Sequence, residues 1–246
     1  MNFSGISHKT LFGRLLRWPL RIVPPETVVP ILQGRAKGHK WIVGAGVHGY
    51  WLGSYEYPKR LLFERLIKND DIVFDIGAHT GFYTLLASAL CGPGGAVVAF
   101  EPVPRNLGFL KSHIRINRLT NVRVIEAAVS DTDDNALFSD GGNTSVGHLS
   151  ESGNLSVRTV KIDSLVASGE IPVPTHMKID VEGGEYRVLV GSKSVLAQHH
   201  PTIFLATHGR EPHTLCCEFL RALSYSLAAV SGKALDRTDE ILAYAE

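Results

Sequence analysis

Ile72-Val-Phe-Asp75-Ile-Gly77-Ala-His79-Thr80-Gly81-Phe-Tyr-Thr84 decides the fold of this 246-residue chain. Ile72, Val73 and Phe74 form a short continuous apolar run, the mark of a parallel strand buried on both faces. Asp75-Ile76-Gly77 ends that run, and Phe82 to Ala87 then carries apolar residues at helical spacing. Strand, glycine turn and helix in that order are where an open α/β sheet binds a nucleotide-like ligand. A dinucleotide fingerprint needs G-x-G-x-x-G, so that the backbone can approach a pyrophosphate. Here the order is Asp75-x-Gly77-x-x-x-Gly81, with His79 where the middle glycine would stand. An acid at the strand tip suits a ligand carrying an ammonium group and repels a phosphate, which favours S-adenosylmethionine over NAD.

The second half of the signature lies one strand later. Ala96-Val-Val-Ala-Phe100 is another apolar run, and it ends in Glu101-Pro102. An acid at the end of the second strand is placed to accept hydrogen bonds from ribose hydroxyls. Each acid alone reads equally as a helix cap or a solvated loop residue; the two together, on successive strand ends, are more specific. A Rossmann dehydrogenase is the competing reading.

Working outward, composition bounds the rest. The chain has 44% apolar and 20% charged residues, as expected of a globular protein. A net charge of +1 gives no support for a nucleic-acid partner. Cys91, Cys216 and Cys217 form no C-x-x-C pair, so neither a disulfide framework nor a structural zinc site is expected, and a cytoplasmic setting is the default. No apolar run approaches the ~20 residues that span a bilayer. Residues 1–40 stand apart as a basic extension with a net charge of +6, ahead of a domain over 41–246. Leu11, Phe12, Leu15, Leu16 and Trp18 interleave with its cations at helical spacing. The sharper reading is a basic amphipathic helix over residues 1–22 in peripheral contact with an anionic membrane or with an acidic substrate. The plainer and preferred reading is a helix that packs across the domain or closes a homodimer.

Trp41 to Tyr55 reads as a hairpin with glycines at its turn, and its aromatics either wall a pocket or simply pack. Pro58 opens a helix. Val122 to Val129 reads as a strand ending in Ser130-Asp131, where Asp131 is either an acceptor for an adenine amine or a turn acid. Residues 132–153 read as a loop with at most one short strand. His176-Met-Lys-Ile-Asp180-Val-Glu182-Gly-Gly-Glu185 is a strand that ends in an acid and bends into a helix at paired glycines. Lys178 and Asp180 share one direction of that strand. Charged groups inside a central strand are costly to bury unless paired or functional, so Asp180 and Glu182 are candidates to face a ligand, with capping acids as the alternative. Pro201 to Gly209 is a buried strand that delivers His208 to the same edge, as a general base or as a structural histidine. Tyr225 to Val230 and Glu240 to Tyr244 close the chain as a hairpin.

With these residues in place, the sequence resembles the FkbM family of S-adenosylmethionine-dependent methyltransferases. The resemblance runs through Gly53-Ser-Tyr-Glu56, Asp75 to Thr84, Val98-Ala-Phe-Glu-Pro102, Arg105-Asn106, Asn117 and Ala128-Val-Ser130-Asp131. Lys178-Ile-Asp-Val-Glu-Gly-Gly-Glu185, with Val188-Leu189 and Gly191, is its most specific part. It implies the class I methyltransferase fold, a Rossmann-like α/β sheet of seven mostly parallel strands with an antiparallel last strand, here carrying an N-terminal helical and hairpin extension. It also implies O-methylation of a sugar, glycolipid or secondary-metabolite hydroxyl, with a small-molecule or glycan acceptor.

By that resemblance Asp75, Gly77 and Gly81 hold the methionine end of the cofactor, Glu101 the ribose and Asp131 the adenine edge. Glu56, His79, Thr80, Pro102, Asn106, Ala128 and Ser130 complete the cofactor set, to which Asp180 also belongs. Asp180, Glu182 and His208 are the expected catalytic groups facing the acceptor. His79-Thr80 and Ala206-Thr207 depart from the family pattern, the latter where an acid often stands. Asp180 and Glu182 offer two carboxylates to a metal, but no third ligand is evident in the sequence, so no metal is expected. A non-catalytic binding protein, or a methyltransferase of protein or nucleic acid, are the alternative functions.

Overall fold

A computed structural model describes residue 20 and residues 22–139, 148–149 and 153–245. The amphipathic helix expected over residues 1–22 lies outside these, apart from Leu20 and Ile22.

β1 (Val28–Pro30) pairs antiparallel with β2 (Lys40–Ile42), which sets Trp41 opposite Val29. The hairpin expected over residues 41–55 is therefore not formed: β2 takes its partner from upstream, and the chain continues into α1 (Gly49–Leu52). Tyr50 and Trp51 are consecutive and both buried. Neighbours on a strand face opposite ways, whereas one helical turn brings both inward. Gly53, at φ +65°, ends that turn in the left-handed region that glycine enters without penalty. α2 (Tyr57–Leu66) follows, with Pro58 in its first turn where no helical donor is lost.

Strands and helices then alternate: β3 (Ile72–Ile76), α3 (Phe82–Cys91), β4 (Ala96–Phe100), α4 (Pro104–Asn117) and β5 (Val122–Ile125). The single strand expected over 122–129 breaks after Ile125, where the Ala127 N–H turns back to the Ile125 carbonyl at 2.9 Å. β6 (Ala128–Val129) thereby leaves the main sheet for a second one with β7 (Asp134–Ser139), β8 (His148–Leu149) and β9 (Leu155–Val160), in the order β6-β9-β7-β8. The segment read as a loop over 132–153 thus contributes two strands. α5 (Ile162–Ala167), β10 (His176–Ile179), α6 (Glu185–Val190), α7 (Lys193–His199), β11 (Thr202–Ala206) and α8 (Arg210–Ala222) lead to the closing hairpin, β12 (Ser226–Ala229) and β13 (Glu240–Tyr244).

The main sheet has seven strands in the order β12-β13-β11-β10-β3-β4-β5. β5, β4, β3, β10 and β11 run parallel, and β13 enters antiparallel between β11 and β12. The side-chain period of two divides each central strand between two cores. Phe74, Ile76, Phe100, Met177 and Ile179 pack on one face; Val73, Val97 and Phe204 pack on the other with Trp41, Phe63 and Leu86. The order of connection reverses between β3 and β10, so a crevice opens at their carboxyl ends. Among the described residues no helix is long and apolar enough to cross a membrane.

Candidate active site

The turn after β3 is held open by glycine. Gly77 sits at φ +75°, and a Cβ there would collide with the Asp180 carbonyl oxygen, so the β3 and β10 backbones meet at this point. The N–H groups of Gly77 and Ala78 both donate to the Phe100 carbonyl, at 3.1 and 2.9 Å, which ties the turn to the end of β4. His79 is left-handed at φ +51°, and its N–H donates to Glu101 Oε2 at 2.8 Å. Glu101 Oε1 accepts from Val103 N at 2.9 Å and Asn106 Nδ2 at 3.1 Å. Burial pushes the Glu101 carboxyl above its usual range, against the pull of these donors. Three donors fix this side chain and leave acceptor capacity on Oε2.

A cavity of about 330 Å³ lies against these strand ends. That is within the range of small-molecule sites. One wall is aromatic: Tyr50 lies 4.5 Å from Tyr55 and 5.2 Å from Phe82 between ring centroids, and Tyr83 adjoins Phe82. Ala128 and Phe138 close it from the second sheet. Desolvation raises the Tyr50 phenol to about 12, so it is a neutral donor.

Beneath the cavity runs a buried ionic network. Lys178 Nζ donates to the Gly77 carbonyl at 3.0 Å and sits 3.3 Å from Asp75 Oδ1 and 3.8 Å from Asp180 Oδ2. Lys59, from α2, sits 3.0 Å from Glu56, 2.9 Å from Glu240 and 3.6 Å from Asp180 Oδ2. Burial alone pulls both lysines down, but the converging carboxylates outweigh it and raise them. Burial acts to raise Asp180, yet the opposing charges of Lys178, Lys59 and His208 hold it below the usual carboxylate range. Glu240 is pushed up to about 7 by burial, which Lys59 only partly offsets.

At the far end Asp180, Glu182 and His208 converge. His208 Nε2 lies 3.8 Å from Asp180 Oδ1 and 3.5 Å from Glu182 Oε2, and its Nδ1 bonds Glu185 Oε1 at 2.7 Å. The Glu185 hydrogen bond foremost, with the charges of Glu182, Glu185 and Asp180, raises His208 to about 9 despite its partial burial. At neutral pH the imidazole is therefore protonated in this arrangement.

Of the residues singled out from the sequence, Gly77, His79, Glu101, Pro102, Asn106, Ala128, Asp180 and Glu182 line the cavity. His208 stands beside its far end through Asp180 and Glu182. Asp75 and Glu56 do not line it. Asp75 is fully buried, accepting from Thr84 Oγ1 at 2.6 Å and facing Lys178, while Glu56 accepts from Tyr83 at 2.9 Å. Thr80 Oγ1 donates to the Ala45 carbonyl at 2.7 Å, and Gly81 makes room for Leu110. Ser130 donates to Asp131 at 3.0 Å, and neither reaches the cavity wall; the Ser130 carbonyl lies against Gly191 instead. Sequence reasoning missed Lys59, Glu185, Glu240 and Tyr83. A lysine inside an apolar helix face was the signal for the first.

The model of the Methyltransferase FkbM domain matches residues 75–227, well over half the chain. Hexuronic acid methyltransferase AglP of Haloferax volcanii is 30% identical over 140 residues, covering 56% of each chain. The 31-O-demethyl-FK506 methyltransferase FkbM of Streptomyces tacrolimicus is 30% identical over 159 residues, 51% of this chain and 60% of its own. The chain thus spans a little over half the length of these relatives. Among solved structures, a methyltransferase FkbM from Methylobacillus flagellatus superposes with a TM-score of 0.52 at 19% identity, over 72% of this chain and 44% of its own. A precorrin-6y C5,15-methyltransferase from Geobacter metallireducens gives 0.51 at 19% identity, over 77% and 88%. At such identities the two structures speak for the fold.

Proposed function

The chain belongs to the FkbM methyltransferase family, and from that premise we propose that it moves the methyl group of S-adenosylmethionine onto a hydroxyl oxygen of a sugar, glycolipid or secondary metabolite. The observation that carries this reading is Glu101. It is a buried carboxylate at the end of β4, fixed by three donors, on the wall of a cavity that also takes in the β3 glycine turn. In this reading Glu101 accepts from the ribose, and Pro102, Asn106 and Ala128 flank the nucleoside. His79 and the Gly77 turn border the methionine end. Lys178 also lines the cavity at that turn, while Asp75 acts from below through Lys178 rather than touching the ligand.

The sulfonium is already an activated donor, so the protein must align an acceptor oxygen and dispose of its proton. When bound, S-adenosylmethionine would supply its methyl group to that oxygen and leave as S-adenosylhomocysteine, with the bonding pair retained on sulfur. Asp180 and Glu182, with His208 beside them, form the polar end of the cavity against which the acceptor hydroxyl lies, and Asp180, or His208 once it has lost its own proton, takes the hydroxyl proton. Tyr50, Tyr55 and Phe82 offer flat apolar faces suited to the C–H face of a sugar ring. The substrates named for the two relatives, a hexuronic acid and 31-O-demethyl-FK506, support a small-molecule oxygen acceptor.

The test is incubation with S-adenosylmethionine and a panel of uronic-acid glycans and macrolide alcohols, read by mass spectrometry. A product in which one methyl replaces one hydroxyl hydrogen supports the proposal. Methylation of RNA, DNA or protein in its place would overturn it.

A further inference from the structure

We propose that Asp180, Glu182 and His208 form a binding site for one divalent first-row cation, Mn²⁺ for preference, at the acceptor end of the cavity. The use of that cation rests on the methyltransferase reading; its binding does not.

The three groups come from two neighbouring parallel strands. Asp180 follows β10 directly, Glu182 lies two residues on, and His208 follows β11. Asp180 Oδ1 and Glu182 Oε2 lie 3.8 and 3.5 Å from His208 Nε2, and the three ligand atoms all lie within 4.8 Å of one another. The 3.5 and 3.8 Å spans from His208 are ones that bonds of about 2.1 Å produce when the angle at the ion opens beyond a right angle.

A separate observation outside the trio points the same way. Glu185 is fully buried, and its Oε1 holds His208 Nδ1 at 2.7 Å while accepting the Gly183 N–H at 2.8 Å. Its Oε2 is buried without a hydrogen-bond partner. A carboxylate on the far nitrogen of a histidine fixes the ring so that the other nitrogen faces an ion. Here that other nitrogen, Nε2, faces both carboxylates. Asp180 is divided in the same sense: Oδ2 faces Lys59 and Lys178, and Oδ1 is turned to His208.

One imidazole and two carboxylates suit Mn²⁺ better than Ca²⁺ and leave coordination positions open. The acceptor hydroxyl would occupy one of them, and a bound cation lowers the pKa of such an oxygen. His208 then serves as ligand, and the hydroxyl proton leaves to water.

The experiment is a Mn²⁺ titration of the full chain after chelator treatment, following free Mn²⁺ by electron paramagnetic resonance, with and without S-adenosylhomocysteine. One saturable site is expected, weakened at least tenfold in Glu182→Ala and in His208→Ala, and about 10–100-fold in Glu185→Gln. Absence of a saturable site, or an affinity unchanged in Glu182→Ala and Glu185→Gln, overturns the proposal. Should His208→Ala fail to fold, the Glu182 and Glu185 variants decide alone. Calorimetry with S-adenosylhomocysteine on the same samples separates the two ideas: loss of that binding strikes the methyltransferase reading, while the Mn²⁺ curve speaks for the site.

Discussion

At the polar end of the cavity, the surroundings of His208 change its chemistry. Its pKa is raised to about 9, with the Glu185 hydrogen bond as the leading cause. NMR titration of the metal-free protein should place its midpoint near 9, and in Glu185→Gln the midpoint should fall toward the ordinary 6.5. The sign for stability follows. A histidine raised in the folded state contributes fully below pH 6.5, and the contribution is lost as pH rises through about 9. Gly77 can be tested at the same scale. Alanine there would need a left-handed backbone and would collide with the Asp180 carbonyl, so Gly77→Ala should lose more than about 1 kcal/mol in a urea melt and lose adenosyl-ligand affinity with it. These residues were legible unequally. Gly77 and Glu101 announce themselves because a strand end followed by a glycine turn has few uses. Asp75 reads the same way in sequence, yet it faces Lys178, a pairing across adjacent strands that linear spacing does not display.

Among elements, α2 and β13 do something their sequences hide. Lys59 and Glu240 lie 181 positions apart and meet at 2.9 Å, and both fall outside the segment matched by the family model. Through them the helix before the first sheet strand and the last strand are tied to Asp180. Lys59→Met should cost about 1–3 kcal/mol, because it leaves the partly buried Glu56, Asp180 and Glu240 without their common cation. Chemical denaturation would read this, and a loss below 1 kcal/mol would contradict the network. Glu240 carries its own pH signature. Its carboxyl holds a proton up to about 7, against 4.5 for the free group, so its effect on stability grows unfavourable as pH rises from about 4.5 to 7. Glu240→Gln should remove that slope. The alternation of strand and helix was readable from periodicity, and so was the closing β12–β13 hairpin. The break after Ile125 and the helical turn at Tyr50-Trp51 were not, since both are decided by which core the side chains reach.

Across the described residues, a hairpin that precedes the family-matched segment is built into the core. Ile31, Ala36 and Trp41 are buried, and the Trp41 ring stacks on His113 of α4 at 3.9 Å. Removing the chain through residue 45 should therefore strip one face of the sheet and yield insoluble or molten protein by near-ultraviolet circular dichroism. A soluble, cooperatively melting truncation would show that the hairpin is dispensable. The aromatic wall of the cavity begins only a few residues later, at Tyr50, whose ring packs 5.1 Å from Trp41, so the shape of that wall and this packing are coupled.

The central claim is that the strand ends around Glu101 form an S-adenosylmethionine site. Calorimetric titration with S-adenosylmethionine, S-adenosylhomocysteine and NAD, on the natural chain and on Glu101→Ala, tests it most directly. The account predicts binding of both adenosyl ligands at about −8 kcal/mol, a micromolar dissociation constant, lost in Glu101→Ala and absent for NAD. No adenosyl binding, or equal binding by the variant, would contradict it.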